Sequence, residues 1–98
     1  MSAYMVFNYT VTNQEGYEKY LPAAMPTLGP SGAEVLVADY ESEAAEGSPH
    51  NVTVVLRFES KDAARSWYES EGYQAAKPLR TSNTEGVAVL CEGFVRPT

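Results

Sequence analysis

Val52-Thr53-Val54-Val55-Leu56-Arg57-Phe58 runs directly into Glu59-Ser60-Lys61-Asp62-Ala63-Ala64-Arg65-Ser66-Trp67-Tyr68, and the change of rhythm between the two decides the fold. The first stretch is β-branched and aromatic and alternates with period two. Val52, Val54, Leu56 and Phe58 share one side, and Thr53, Val55 and Arg57 the other, as in a strand. In the second stretch Ser60 is a helix N-cap, and Ala63, Ala64, Trp67 and Tyr68 fall on one helical face. A strand leading into a helix is half of a βαβ unit.

The other half lies upstream. Ala3 to Val11 is rich in aromatic and β-branched residues and predicts a first strand. Thr12-Asn13 offers a cap, and Tyr17, Tyr20, Leu21, Ala24, Met25 and Leu28 recur at helical spacing. Pro22 and Pro26 interrupt that helix, so a kink or two short pieces are expected before Gly29-Pro30 closes it. Glu34 to Tyr40 reads as a second strand, joined to Val52–Phe58 by the acidic loop 41–51 as a wide antiparallel hairpin. Downstream, Gly72 breaks the second helix, Tyr73 to Lys77 starts a further turn before Pro78, and Thr84 to Phe94 supplies the last strand.

The order is therefore βαββαβ in a single domain spanning residues 1–98. Two right-handed βαβ crossovers put both helices on one face of a four-stranded antiparallel sheet. This is a ferredoxin-like α+β fold. The face without helices should turn polar if water covers it, and it does not: aliphatic and aromatic residues occupy both sides of the strands. Val6, Val55 and Leu90 are read as its apolar members, with Asn8 and Arg57 as polar ones. An uncovered apolar face marks an interaction surface, and a two-fold homodimer closing a dimeric α+β barrel is the expected partner; the rival is a different protein.

Composition narrows the functions. A net charge of −6, with seven scattered basic residues, speaks against nucleic acid and anionic membranes. No apolar run approaches a membrane span. The start Met1-Ser2-Ala3-Tyr4 lacks a basic region, and its Asn-x-Thr triplets at Asn8 and Asn51 read as chance matches. A reducing cytoplasm is the expected location. Cys91 is the only cysteine and reads as a small buried hydrophobe. With one histidine, His50, and no clustered carboxylates, no metal site is expected. Nucleophile elbows and phosphate loops are absent from the sequence, and no cofactor is called for.

Three features rise above this background. Asn8 and Arg57 sit polar on apolar strands; Arg57 would either form a dimer salt bridge, to Glu59, Asp39 or Glu92, or clamp an anion or carbonyl. Seven tyrosines and Trp67 are either core or the lining of a ligand cavity. Lys77 and Arg80, late in a helix, are either dipole partners or the gate of a pocket for an acidic ligand.

Phe58-Glu59-Ser60, Ala63-Ala64-Arg65-Ser66-Trp67-Tyr68-Glu69-Ser70 and Gly72-Tyr73-Gln74 together resemble the family called domain of unknown function 1330. Ala3-Tyr4, Val11-Thr12, Tyr17-x-x-Tyr20, Glu46-Gly47 and Glu92-Gly93 extend the likeness over nearly the whole chain. Gly47-Ser48-Pro49-His50-Asn51 departs from it, where such proteins carry an aromatic and a basic residue; Asn13 and Glu71-Gly72 depart at caps. The resemblance implies a dimeric α+β barrel and no particular activity. Fold-level relatives include cofactor-independent monooxygenases, haem-degrading enzymes, lactone isomerases and stress proteins. The haem-degrading kind is set aside because no histidine follows Trp67.

The expected function is a small-molecule dimer with one pocket per subunit between helices and sheet, lined by Asn8, Arg57, Trp67, Tyr68, Tyr73 and Arg80. It would bind or transform an aromatic or carbonyl metabolite without a cofactor. The alternative is a non-catalytic dimerisation or binding module in which the same residues are core and interface.

Overall fold

The computed structural model describes residues 2–95. Four strands, β1 (Ala3–Val11), β2 (Glu34–Asp39), β3 (Val52–Phe58) and β4 (Thr84–Glu92), form one antiparallel sheet in the order β2-β3-β1-β4. The chain has the ferredoxin-like α+β architecture that its patterning predicts. All helices lie on one face, and the Cα positions span only 15 Å along the shortest axis, a two-layer slab.

Between β1 and β2 the proline-rich segment breaks up as expected. It forms α1 (Gln14–Tyr17), α2 (Tyr20–Ala24), a 3₁₀ turn (Met25–Thr27) and α3 (Leu28–Ser31). Asn13 caps the first by accepting from the Gly16 amide. Gly32, at φ 73°, ends the last in a left-handed conformation that only glycine adopts freely. Between β3 and β4 lie α4 (Lys61–Tyr68) and α5 (Glu71–Thr81), capped by Ser60 and Ser70.

Two local expectations need correcting. The break between α4 and α5 falls at residues 69–70, not at Gly72, which sits inside the first turn of α5. That helix also runs through Pro78 to Thr81. Proline inside a helix costs on the order of 3 kcal/mol. Continuing the helix packs Leu79 against the core already anchored by Tyr73 and Ala76 and sets Arg80 among the aromatic rings, and this packing outweighs the loss.

The core lies between sheet and helices. Met5, Phe7 and Tyr9 from β1, and Val52, Leu56 and Phe58 from β3, meet Tyr17, Tyr20, Leu28, Trp67 and Tyr73. Full burial of a side chain such as Phe58 stabilises by about 1.5–3 kcal/mol. Pairing register fixes the opposite face. Tyr4, Val6 and Asn8 stand beside Arg57, Val55 and Thr53 on one flank and Cys91, Val89 and Val87 on the other. Leu90 is opposite Met5 and therefore faces the helices; Val87 and Val89 are the β4 members of the open face. No helix covers this surface, and Val87 and Val89 are exposed.

The edge strand β2 contains a register shift: Val35 pairs with Leu56, but Val37 pairs with Val55, leaving Leu36 as an extra residue. Val35 and Ala38 thereby face the helices, while Val37 joins the open face.

Candidate functional site

The sheet divides the residues expected to form one pocket. Asn8 and Arg57 lie on the open face, whereas Trp67, Tyr73 and Arg80 lie among the helices. The structure brings the last three together and keeps the first two apart from them.

Asn8 is committed to the backbone. Its amide nitrogen donates to the His50 and Val52 carbonyls at 3.0 and 3.1 Å and to Thr53 Oγ1 at 3.1 Å, and its oxygen accepts from the His50 amide at 2.9 Å. It clips the end of the long β2–β3 loop onto the sheet. His50 Nδ1 is 2.8 Å from Thr10 Oγ1. Within one chain Arg57 pairs with Glu34, its cross-strand neighbour, at 2.7 Å. Both side chains are well exposed, so the pair contributes little to stability.

On the helix side a cavity of about 220 Å³ opens between the sheet and α2. Phe7, Tyr9, Val54 and Leu56 form its floor, and Tyr20, Leu21, Ala24, Met25 and Leu28 its roof. Val35, Ala38 and Tyr40 line the edge-strand side, and Trp67 closes the wall. The wall is almost wholly apolar, with no carboxylate, imidazole or amine in it. Leu21, Met25, Val35 and Tyr40 are exposed and make an apolar mouth. An apolar cavity of about 150 Å³ accommodates benzene, so this one suits a molecule of one or two rings.

The tyrosines of the wall bond to one another through Tyr17 or to Tyr73 behind them. Tyr9 and Tyr17 hydroxyls are 2.6 Å apart, Tyr17 and Tyr40 2.8 Å, and Tyr20 and Tyr73 2.8 Å. Burial pushes the Tyr9 hydroxyl up to about 12, the bond from Tyr17 offsetting only part of this. Burial likewise drives Tyr17 and Tyr20 well above the ordinary phenol range. All three are neutral at physiological pH, donors rather than bases.

Arg80 is only 6% exposed. Its Nε donates to Tyr73 Oη at 3.4 Å, and its guanidinium carbon stands 5.0 to 6.0 Å from the ring centres of Phe7, Tyr20 and Tyr9. Burial opposes its charge, but the Tyr73 and Tyr20 hydroxyls facing it prevail and hold its pKa above the ordinary value. Trp67 packs on Tyr73 with ring centres 4.1 Å apart and donates to Thr27 Oγ1 at 2.9 Å. Tyr68 stands off to one side beneath the Lys77 ammonium, 5.2 Å from its ring centre. It lines a shallower groove with Met5, Arg65, Glu69, Ala88 and Leu90.

Tyr9, Tyr20 and Tyr40 were not singled out in the sequence as site residues, though their aromatic density was visible. Among the described residues no three His, Cys, Asp or Glu side chains come together as metal ligands, and no helix is long and apolar enough to cross a membrane.

The family model described as domain of unknown function (DUF1330) matches residues 2–94. No curated protein matches the chain in a sequence comparison. Among solved structures, a protein of unknown function from Rhodopseudomonas palustris superposes with a TM-score of 0.79 at 12% identity, over 97% of this chain and 84% of that one. SnoaB, a cofactor-independent oxygenase from Streptomyces nogalater, gives 0.65 at 14% identity over 99% and 95%. A dimeric protein of unknown function with a ferredoxin-like fold from Bacteroides fragilis gives 0.56 at 10% identity over 94% and 96%. At such identities the likeness is one of fold.

Proposed function

The chain belongs to the family described as domain of unknown function DUF1330, and from that premise we propose that it is a homodimer whose subunits each bind a small, flat, largely apolar molecule. The ligand enters between the helices and the sheet, past Leu21 and Met25, and lies against Trp67, Tyr20 and Phe7. The observation that carries this reading is the cavity itself: an apolar space with an apolar mouth between the sheet and α2.

A ferredoxin-like neighbour described as a cofactor-independent oxygenase supports chemistry on a similar scaffold without a bound group. The cavity wall contributes shape, aromatic surface and neutral hydroxyls, and it contains no proton-abstracting side chain. Any reaction in it would draw on the acidity of the substrate itself. Asn8 and Arg57 belong in this reading to the dimer side of the sheet, and Trp67, Tyr73 and Arg80 to the ligand side.

The test is a thermal-shift screen of one- and two-ring aromatic and carbonyl compounds on the wild type and on Ala24→Leu. Ligand binding raises the melting temperature by linkage. Compounds that stabilise the wild type should lose their effect when leucine fills the space beside Ala24. Absence of any shift across the panel would instead favour the non-catalytic dimerisation module.

A further inference from the structure

Among the described residues Arg80 is the charged side chain sunk in the core, and it is there without an acid. The protein has thirteen acidic residues, yet none forms an ion pair with it among the described residues. The groups facing it are Tyr73 on its own helix, Tyr20 on α2, and Phe7 and Tyr9 on β1. Aromatic faces answer part of a buried cation's charge, but an unpaired guanidinium ordinarily calls for an anion.

The hydroxyl hydrogens carry the matter further. A guanidinium only donates, so Tyr73 Oη accepts from Arg80. Tyr73 and Tyr20 share one hydrogen bond and have two hydroxyl hydrogens between them. If Tyr20 were the donor, the Tyr73 hydrogen would be stranded on a residue with no exposure at all, which is costly. With Tyr73 donating, the spare hydrogen is that of Tyr20, a residue of the cavity wall. The donor direction therefore runs from Arg80 through Tyr73 to Tyr20 and ends at the cavity.

Resting on the cavity reading above, we infer that the ligands are flat phenols or enols bound as their anions, with the oxyanion on the Tyr20 hydroxyl and Arg80 as the counter-charge behind the wall. The proton that the ligand loses passes to bulk water, because the wall has no base to take it. A nearby cation favours the charged form of an ionisable group, whereas a dry apolar wall by itself disfavours it. The direction in which a bound ligand's own titration moves thus separates the two.

The probes are 4-nitrophenol, whose anion absorbs visible light, and 4-nitroanisole, its non-ionisable methyl ether. Bound to the wild type, 4-nitrophenol should ionise about one unit or more below its free midpoint, a tenfold or greater gain in its ionisation constant. Tyr20→Phe and Arg80→Met should each return the midpoint to the free value or above it. If Arg80→Met does not fold, the wild type alone decides: a bound midpoint at or above the free one overturns the inference. Binding of 4-nitroanisole with 4-nitrophenol held only as the neutral phenol would remove the oxyanion site and leave the cavity. Binding of neither probe would remove both.

Discussion

Trp67 Nε1 donates to Thr27 Oγ1 at 2.9 Å across forty residues of sequence, and Thr27 Oγ1 in turn donates to the Ala24 carbonyl. One hydroxyl thereby ties α4 to the 3₁₀ turn and sets the indole as the closing wall of the cavity. Thr27→Val keeps the shape and removes the acceptor, leaving a nearly buried indole N–H unpaired. A loss of about 1–3 kcal/mol in urea unfolding is expected, together with weaker binding of any cavity ligand.

Asn8 holds the β2–β3 loop by four bonds to residues 50–53. Asn8→Ala should cost about 1–3 kcal/mol, since the His50 amide and two carbonyls lose their partner. Hydrogen exchange should quicken at the His50 amide while the β1–β4 ladder keeps its protection. Uniform exchange across the sheet would show that Asn8 stabilises the fold globally instead.

Val55 lies at the centre of the open face, beside Val6 and Val37. In the proposed homodimer, Val55→Glu places a charge in the sheet-to-sheet contact and should shift light scattering from dimer toward monomer at micromolar concentration. The near-ultraviolet circular dichroism of the helix-side aromatics should stay as in the wild type. A wild-type monomer under the same conditions would refute the dimer.

High pH should unfold the protein through its tyrosines. Tyr9 titrates near 10 when unfolded and at about 12 when folded, so between these values the unfolded chain has lost a proton that the folded one keeps. Its stabilising contribution is fully present below pH 10 and disappears as pH rises through 12, amounting to about 1.4 kcal/mol per unit. Tyr17 and Tyr20 act in the same direction. Phenolate absorbance should appear together with loss of helix signal, and Tyr9→Phe should make the transition less steep.

The strands were legible because period-two alternation in β1 and β3 is unambiguous, and the bounds of β1 and β3 agree with the sequence reading. The face of β4 was not legible, because Ala88 and Leu90 are as apolar as Val87 and Val89. Only pairing of Leu90 with Met5 and of Val89 with Val6 assigns them. The continuation of α5 through Pro78 was hidden for a related reason, since local propensity says stop and only packing around Tyr73 and Arg80 says otherwise. For the candidate site, the sequence pointed to Trp67, Tyr73 and Arg80 by type. It joined Asn8 and Arg57 to them because composition does not reveal which side of a sheet a polar residue occupies. The unpaired state of Arg80 is a property of three-dimensional neighbours and has no signature in the chain.

The extra residue in β2 has a consequence for assembly in bulk. This edge strand carries Val35, Leu36 and Val37, all exposed, which as a flat edge would be a template for adding strands from other molecules. The shift between Val35 and Val37 twists the outer hydrogen-bonding groups out of line, so growth into a fibre has no regular edge to start from. Deleting Leu36 would straighten that edge. A one-residue deletion could then turn a discrete particle into one prone to cross-β polymerisation.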